Sequence, residues 1–158
     1  ISLELACQFP QTMIKAWDIN KTAYETAKIN ANRYNISSIE WIHGDFFEGV
    51  KEHYFKTDQN VLVISNPPYI SESEYTSLDV TVRKYEPKSA LVAADDGLEY
   101  YKKLLKLISR QNWLGAMEFG YTQQPALEAV LADHQIENFK FTADYQSHPR
   151  VLTVKQAG

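Results

Sequence analysis

The sequence predicts an α/β fold with a mostly parallel sheet that ends in an antiparallel hairpin. Short apolar segments alternate with longer segments of helical periodicity, which is the pattern of strand–helix–strand units. One apolar segment, Val61–Ile64, is an unbroken run rich in β-branched residues, as expected for a fully buried strand of a parallel sheet. The last two strand-like segments, 139–145 and 150–155, are separated by a short polar connection and predict the hairpin.

The first third of the chain alternates helices and strands. The predicted order is helix, strand, helix and strand, at residues 2–8, 13–19, 21–35 and 39–42. Asn20 is the predicted N-terminal cap of the second helix, which leaves Asp18 free at the end of the strand before it. Residues 48–60 are polar and irregular, so a short helix and a connecting loop are predicted there.

The remaining elements follow the Val61–Ile64 strand. Residues 71–84 are polar, with few apolar anchors, and predict a mobile loop that lies over the ligand-binding end of the Val61–Ile64 strand. A helix is predicted over 97–111 because an apolar stripe runs along it at helical spacing. The stripe consists of Leu98, Tyr101, Leu104, Leu105 and Ile108. A strand over 114–119 and a helix starting at Thr122 are predicted before the hairpin.

Composition restricts the class of protein. The chain of 158 residues is long enough for one domain with its own core, and it has no apolar run of bilayer length, so no membrane association is expected. Cys7 is the only cysteine, which excludes an internal disulfide and fits a cytoplasmic location. The net charge is −4 and the basic residues are scattered, so direct nucleic-acid binding is not expected. No cluster of Cys or His at ligand spacing predicts a metal site.

The segment Asn66-Pro67-Pro68-Tyr69 is the predicted catalytic and substrate-binding segment. The prolines cannot donate backbone hydrogen bonds, so the strand ends here, at the sheet edge where α/β proteins bind ligands. The Asn66 carboxamide and the Pro67 carbonyl offer converging acceptors for a planar NH2 group, and Tyr69 offers an aromatic face for stacking. The alternative interpretation is an ordinary Pro-Pro turn with Asn66 as a turn residue.

These four residues match the (N/D)PPY motif of S-adenosylmethionine-dependent amino-methyltransferases. Over nearly its whole length the chain resembles the bacterial peptide chain release factor glutamine methyltransferases. The matching segments are SNPPYI at 65–70, YEPKSALVAADDGL at 85–98, EFGYTQ at 118–123 and RVLTV at 150–154. Several methyltransferase families share the motif alone, whereas its combination with YEP-x-x-AL is much more specific.

The resemblance implies a class I, Rossmann-like methyltransferase fold and S-adenosyl-L-methionine as the cofactor. The implied substrate is the glutamine of the Gly-Gly-Gln loop in class I peptide chain release factors, which act in translation termination. Asp18 is expected to accept hydrogen bonds from the ribose hydroxyls, with a helix-capping or solvated aspartate as the alternative. Asp45 is expected to accept from the adenine amino group, and Asn66 is also expected to bind the cofactor. Phe46 is expected to stack on the adenine ring, with core packing as the alternative.

The resemblance further implies that residues 1–158 are a partial catalytic domain. In the family, a helical domain and a first strand with a glycine-rich loop precede the part that matches this chain. Three other functions stay open at this point. They are adenine-N6 methylation of DNA or RNA, which uses the same grip on an amine, methylation of a glutamine in a ribosomal protein, and an inactive fragment that lacks the cofactor loop.

Overall fold

A computed structural model describes residues 1–50, 60–111 and 113–155 of the chain. The chain divides into two compact units, Ile1–Thr57 and Asp58–Gly158. The connection predicted over 48–60 lies largely outside the described residues.

The first unit contains a two-stranded parallel sheet with helices before and after each strand. Its elements are α1 (Ser2–Gln8), β1 (Ile14–Asp18), α2 (Lys21–Arg33), β2 (Ile39–His43) and α3 (Phe46–Gly49). In the parallel register, Asp18 lies opposite His43, so both strands end at the same edge. The predicted order of helix and strand is confirmed here.

Helix α2 begins and ends where its sequence signals predict. The Asn20 side chain accepts hydrogen bonds from the backbone N–H groups of Thr22 and Ala23, which satisfies two of the free donors at the helix start. Asn35, just past the end of the helix, has a φ of 55°, a left-handed conformation that asparagine tolerates. Ala31 is the buried residue of this helix, so its inner face is narrow.

The second unit contains a four-stranded mixed sheet. Its elements are β3 (Leu62–Ser65), α4 (Glu72–Ser77), α5 (Val80–Tyr85), α6 (Lys88–Leu91), α7 (Glu99–Gln111), β4 (Leu114–Glu118), a 3-10 turn (Tyr121–Gln123), α8 (Gln124–Asp133), β5 (Phe139–Ala143) and β6 (Pro149–Lys155). The strand order is β3-β4-β6-β5. The β3–β4 pair is parallel, and β6 pairs antiparallel with both β4 and β5. This arrangement confirms the predicted α/β class and the C-terminal hairpin.

The core of the second unit lies between its sheet and helices α7 and α8. The predicted stripe of α7 is confirmed, since Tyr101, Leu105 and Ile108 are fully buried. Burial of an aliphatic side chain of this size contributes about 1.5–3 kcal/mol relative to its exposure. The other large side chains that are fully buried are Phe119, Met117, Leu127, Leu131 and Leu152. Because Met117 and Phe119 lie at the end of β4, the core reaches the sheet edge at which β3 ends.

The prediction that β3 is fully buried is wrong. Strand β3 is at the edge of the described sheet and pairs with β4 alone among the described strands. Leu62 is 53% exposed, and Val63 and Ile64 are only half-buried. A strand with a single hydrogen-bonded neighbour cannot be covered to the extent that an interior strand is.

The prediction of a loop over 71–84 is also wrong, because most of this segment is helical. Ser71 and Glu74 form a capping box at the start of α4. The Asp79 side chain accepts a hydrogen bond from the backbone N–H of Thr81 and so caps α5. Reciprocal capping stabilises short helices that lack an apolar stripe, and apolar periodicity therefore does not reveal them.

Candidate functional site

The Asn-Pro-Pro-Tyr segment leaves the carboxyl end of β3 with an exposed amide and a buried proline. The Asn66 side chain is exposed, whereas Pro67 is buried and Pro68 and Tyr69 are half-buried. Asn66 is therefore not turned into packed core. The part of the chain that the structure describes gives its carboxamide no hydrogen-bond partner. This amide is available to a ligand, as the sequence analysis requires.

The backbone of Tyr69 is held by two neighbouring turns. The Gln123 side chain donates a hydrogen bond from Nε2 to the Tyr69 carbonyl oxygen over 3.0 Å. Gly97 has a φ of +83°, and a Cβ at this position would lie 2.1 Å from the same oxygen. Both the close approach and the positive φ therefore require glycine at position 97.

The chain after Tyr69 is fixed by a parallel bridge between Ile70 and Val92. The Ile70 N–H donates to the Leu91 carbonyl over 2.9 Å, and the Ala93 N–H donates to the Ile70 carbonyl over 3.0 Å. Ser71, which follows, is buried and caps α4. The segment thus leaves the sheet into a hydrogen-bonded frame, which limits its freedom to move.

The Tyr69 ring lies among two carboxylates and one guanidinium. Burial raises the pKa of the Tyr69 phenol, and the negative charges of Glu118 and Glu86 raise it further. Arg150 opposes this rise of the pKa by its positive charge and by a hydrogen bond to the phenol. The raised pKa keeps Tyr69 neutral at physiological pH, so it presents an aromatic face and a hydroxyl rather than a phenolate.

Arg150 is itself held by two neighbours, Tyr121 and Asp144. Its guanidinium carbon lies 5.3 Å from the centroid of the Tyr121 ring, a cation–π distance. Its Nε lies 3.5 Å from Oδ2 of Asp144. Tyr121 stacks in turn on His148, with ring centroids 4.9 Å apart. The guanidinium is thus directed toward Tyr69 by the residues of the hairpin turn and of the 3-10 turn.

Sequence reasoning assigned no role to Glu86, Glu118 or Arg150. Each residue lies in one of the segments that resemble the release factor methyltransferases, so the resemblance could have pointed to all three. Glu86, Glu118 and Arg150 act on Tyr69 although they follow it in the sequence by 17, 49 and 81 residues, respectively. Separations of this size have no local periodicity, which is why their convergence becomes visible only in the structure.

Tyr101 provides a buried support behind Tyr69. Its hydroxyl donates a hydrogen bond to the Glu118 carbonyl over 2.8 Å, and its side chain is fully buried. Burial raises the pKa of the Tyr101 phenol, and the neighbouring Tyr69 and Glu118 contribute to the same rise. The neutral hydroxyl therefore donates to the end of β4 and helps to fix it.

In the first unit, Asp18 lies at the edge where β1 and β2 end. Its backbone carbonyl accepts a hydrogen bond from the Gly44 N–H over 3.1 Å, which joins the ends of the two strands. The Asp18 side chain is exposed, but Oδ1 accepts the Asn20 N–H over 2.8 Å. Asp18 was predicted to be free at the end of β1, whereas its Oδ1 takes part in the turn into α2. A carboxylate has about four lone-pair sites, so one bond leaves capacity for a ligand hydroxyl.

Asp45 and Phe46 lie in the turn that follows β2, at the same edge as Asp18. Oδ1 of Asp45 accepts the Phe47 N–H over 2.7 Å and caps α3. The half-buried Phe46 ring packs edge-on against Trp17, with centroids 5.4 Å apart, and against Phe47. The exposed Asp18 carboxylate and the half-buried Phe46 ring at this edge suit the ribose and the base of a nucleoside.

The predicted residues thus fall into two groups. Asp18, Asp45 and Phe46 share one edge in the first unit, whereas Asn66–Tyr69 belong to the second unit. Among residues 1–50, 60–111 and 113–155, no group of three or more His, Cys, Asp or Glu side chains is arranged to hold a metal ion. Within the same ranges, no helix has the length and apolarity needed to cross a membrane.

Comparison with known proteins identifies relatives along the whole chain. A family model described as methyltransferase small domain matches residues 1–86, more than half of the chain. A protein of Rickettsia bellii named bifunctional methyltransferase is 34% identical over 158 residues, which cover 98% of this chain and 28% of that protein. A protein of Fusobacterium nucleatum named release factor glutamine methyltransferase is 33% identical over 160 residues, covering 99% of this chain and 44% of that protein. The chain therefore spans less than half the length of these curated relatives.

The fold is also found in solved structures. The human METTL16 catalytic domain, crystallised in complex with the MAT2A 3′UTR hairpin 1, superposes with a TM-score of 0.70 at 14% sequence identity. The match covers 99% of this chain and 59% of that chain. This likeness confirms the predicted methyltransferase fold.

The Tyr101→Phe variant is expected to lose stability less steeply at alkaline pH than the parent protein. Unfolded tyrosine ionises near pH 10, whereas folding raises the pKa of Tyr101 above its ordinary value of 10.0. The contribution of neutral Tyr101 to the free energy of unfolding is therefore complete below about pH 10 and is lost above it, by about 1.4 kcal/mol per pH unit. Urea unfolding between about pH 8 and pH 11 measures this slope.

The control for this measurement is Tyr145→Phe, since Tyr145 is completely exposed. This variant is expected to keep the parent's pH slope, because it retains the buried Tyr101 phenol that produces the slope. Equal slopes in Tyr101→Phe and the parent would show that burial does not raise the pKa of Tyr101.

Proposed function

Because the chain belongs to the methyltransferase small domain family, we propose that it methylates the side-chain amide nitrogen of glutamine with S-adenosyl-L-methionine as the methyl donor. The observation that carries this proposal is the exposed Asn66 carboxamide at the end of β3, next to a buried Pro67 and a fixed Tyr69. We further propose that the substrate is the Gly-Gly-Gln loop of class I peptide chain release factors. The Fusobacterium relative, named for this substrate class, supports the assignment.

Asn66 and Pro67 bind the reacting amide in the proposed mechanism. A glutamine amide nitrogen is a poor nucleophile because its lone pair is delocalised into the carbonyl. The Asn66 side-chain oxygen and the Pro67 carbonyl each accept one N–H bond of the amide, which orients the nitrogen and favours positive charge on it. Alignment of this kind is worth an effective molarity on the order of 10^5 M. One N–H proton leaves to water after the carbon–nitrogen bond has formed.

Tyr69 and Pro68 set the plane of the bound amide. The neutral Tyr69 ring offers a face for stacking, since its raised pKa excludes a phenolate under physiological conditions. Glu118 and Glu86 place negative charge close to this ring, and such charge favours a nitrogen on which positive charge develops. Pro68 keeps Tyr69 at a short and stiff separation from Asn66.

Asp18, Asp45 and Phe46 bind the adenosine part of the cofactor in this proposal. Asp18 accepts from the ribose hydroxyls with the capacity that remains after its bond to Asn20. Asp45 accepts from the adenine amino group, and Phe46 lies against the ring of the base. S-adenosylmethionine supplies an electrophilic methyl group on a sulfonium. Asn66 contributes to cofactor binding as well as to the grip on the amide.

The proposed partner is thus a protein, the release factor, rather than a nucleic acid or a membrane. The net charge of −4 and the scattered basic residues support this choice over adenine methylation of DNA or RNA. We propose that the chain acts in the cytoplasm, where release factors work. The same experiment distinguishes this substrate from a glutamine in a ribosomal protein and from adenine.

The experiment incubates the full-length protein and S-adenosylmethionine with purified release factor, with ribosomal proteins or with DNA and RNA oligonucleotides. Peptide mass spectrometry is expected to show the gain of one methyl group on the glutamine of the release factor loop. A gain on a ribosomal protein or on adenine instead would replace the proposed substrate. The absence of transfer to any of them, with no heat of cofactor binding in calorimetry, would reject the enzymatic function.

Replacement of Asn66 by alanine is expected to lower kcat for methyl transfer by about 100-fold or more, because one of the two acceptors for the amide is lost. Cofactor affinity is expected to fall only modestly, since adenosine is bound by other residues. Methyl transfer and calorimetric cofactor binding measure the two effects. The matched control is Asn138→Ala, at an exposed position beside the hairpin, which leaves both unchanged. Parent-like activity in Asn66→Ala would refute the proposed grip.

Replacement of Asp18 by asparagine is expected to weaken cofactor binding by about 10-fold or more, the amount that a hydrogen bond to a charged group contributes. Asparagine keeps an oxygen for the Asn20 N–H, so the turn into α2 survives. Calorimetry with S-adenosylmethionine measures the dissociation constant. Asp133→Asn, at an exposed site in α8, serves as the control. An unchanged dissociation constant in Asp18→Asn would exclude the ribose role.

A further inference from the structure

The Gln123 side chain joins three backbone segments of the second unit. Its Nε2 donates to the Tyr69 carbonyl over 3.0 Å and to the Asp96 carbonyl over 3.4 Å. Its Oε1 accepts the Gly120 N–H over 3.1 Å. The nitrogen and the oxygen of one side-chain amide thus bond to backbone groups of three segments. These are the segment after β3, the turn before α7 and the turn after β4.

The space around this amide is closed by glycine. A Cβ on Gly97 would lie 2.6 Å from Nε2 of Gln123, and a Cβ on Gly120 would lie 3.1 Å from its Oε1. The left-handed residues Asp95 and Asp96 bring the turn to this point, with φ of 57° and 51°. Gly97 and Gly120 thus leave the space that the Gln123 amide occupies, and the left-handed turn brings the Asp96 carbonyl within reach of its Nε2. The turn accepts two left-handed residues to make this contact.

The position of Tyr69 determines the position of Asn66. Two prolines separate these residues, and each proline fixes its own φ near −65° and restricts the residue before it. A displacement of the Tyr69 carbonyl is therefore transmitted to Asn66 and Pro67 rather than absorbed between them. Misplacement of a reacting group by about 1 Å can lower the rate by about 100-fold.

We propose that Gln123 is a positioning residue that holds the Tyr69 carbonyl and thereby directs the Asn66 and Pro67 acceptors at the substrate amide. The proposal rests on the proposed function of these acceptors. Gln123 touches neither the substrate nor the cofactor in this scheme. Its contribution is therefore expected in kcat rather than in cofactor affinity.

The test compares Gln123→Leu with Gln124→Leu in the full-length protein. Gln124 is the neighbouring glutamine, and among the described residues its side chain bonds within its own helix, to Glu128 over 2.9 Å. Gln123→Leu is expected to lower kcat by about 10- to 100-fold, with the cofactor dissociation constant within about twofold of the parent's. Gln124→Leu is expected to change neither value. Activities are measured well below the melting temperature of each variant, so that loss of folded protein does not contribute.

A second variant, Gln123→Glu, separates positioning from bulk stability. Above the pKa of the new carboxyl group, a carboxylate faces the Tyr69 and Asp96 carbonyl oxygens and repels them. Below that pKa, the neutral acid donates to one of them. The kcat of Gln123→Glu relative to the parent is therefore expected to rise as the pH falls. A parent-like pH profile in this variant would contradict the proposal.

A readout without substrate distinguishes failure of this proposal from failure of the proposed function. Hydrogen exchange at the Ile70 and Ala93 amides, which bond just after Tyr69, is expected to be faster in Gln123→Leu than in the parent or in Gln124→Leu. Unchanged exchange, or parent-like kcat in Gln123→Leu, overturns the role of Gln123. If the parent transfers no methyl group to glutamine, the proposed function fails, and faster exchange still supports the hold on Tyr69.

Discussion

The stiffness of the chain between Asn66 and Tyr69 is the constraint on which the rest of the site depends. The two prolines leave this segment few backbone conformations, so its direction is decided by what holds its ends. Pairing of β3 with β4 fixes the end before Asn66. The bridge of Ile70 to Val92 and the bond from Gln123 fix the end at Tyr69. An exposed amide on such a segment is ordered without being buried, which suits a group that must receive a ligand.

The charges around Tyr69 follow from the same arrangement. Glu118 ends β4, Glu86 follows α5 and Arg150 is the second residue of β6, so each acts on the ring from a different part of the fold. The two carboxylates favour positive charge near the ring, and the guanidinium offsets part of their effect on the pKa of the phenol. Arg150 is also held in place by Asp144 and Tyr121. In the proposed mechanism, a neutral ring with nearby negative charge favours an amide nitrogen on which positive charge develops.

The sequence predicted the elements that have a strong local signal. The apolar stripe of α7, the Asn20 cap and the paired hairpin strands all appear where expected, because each depends on residues within a few positions of one another. The short helices α4 and α5 were missed because caps at Ser71 and Asp79, rather than apolar periodicity, stabilise them. The edge position of β3 and the convergence of Glu118, Gln123 and Arg150 on Tyr69 were missed for a different reason. They depend on pairings across more than 45 residues, which local patterns do not encode.

The two groups of candidate residues are ordered by different physical means, and this difference bears on how each can be altered. Asp18 and Asp45 each use one oxygen on an N–H two residues ahead, so the carboxylate that would bind the cofactor is oriented by its own turn. Asn66 has no such local bond and takes its orientation from a segment that is held by distant residues. A substitution near Asp18 or Asp45 is therefore expected to alter only the orientation of that one carboxylate. The proposed binding of the amide by Asn66 and Pro67, in contrast, depends on the packing of the whole second unit, because contacts that only the folded sheet brings together orient these acceptors.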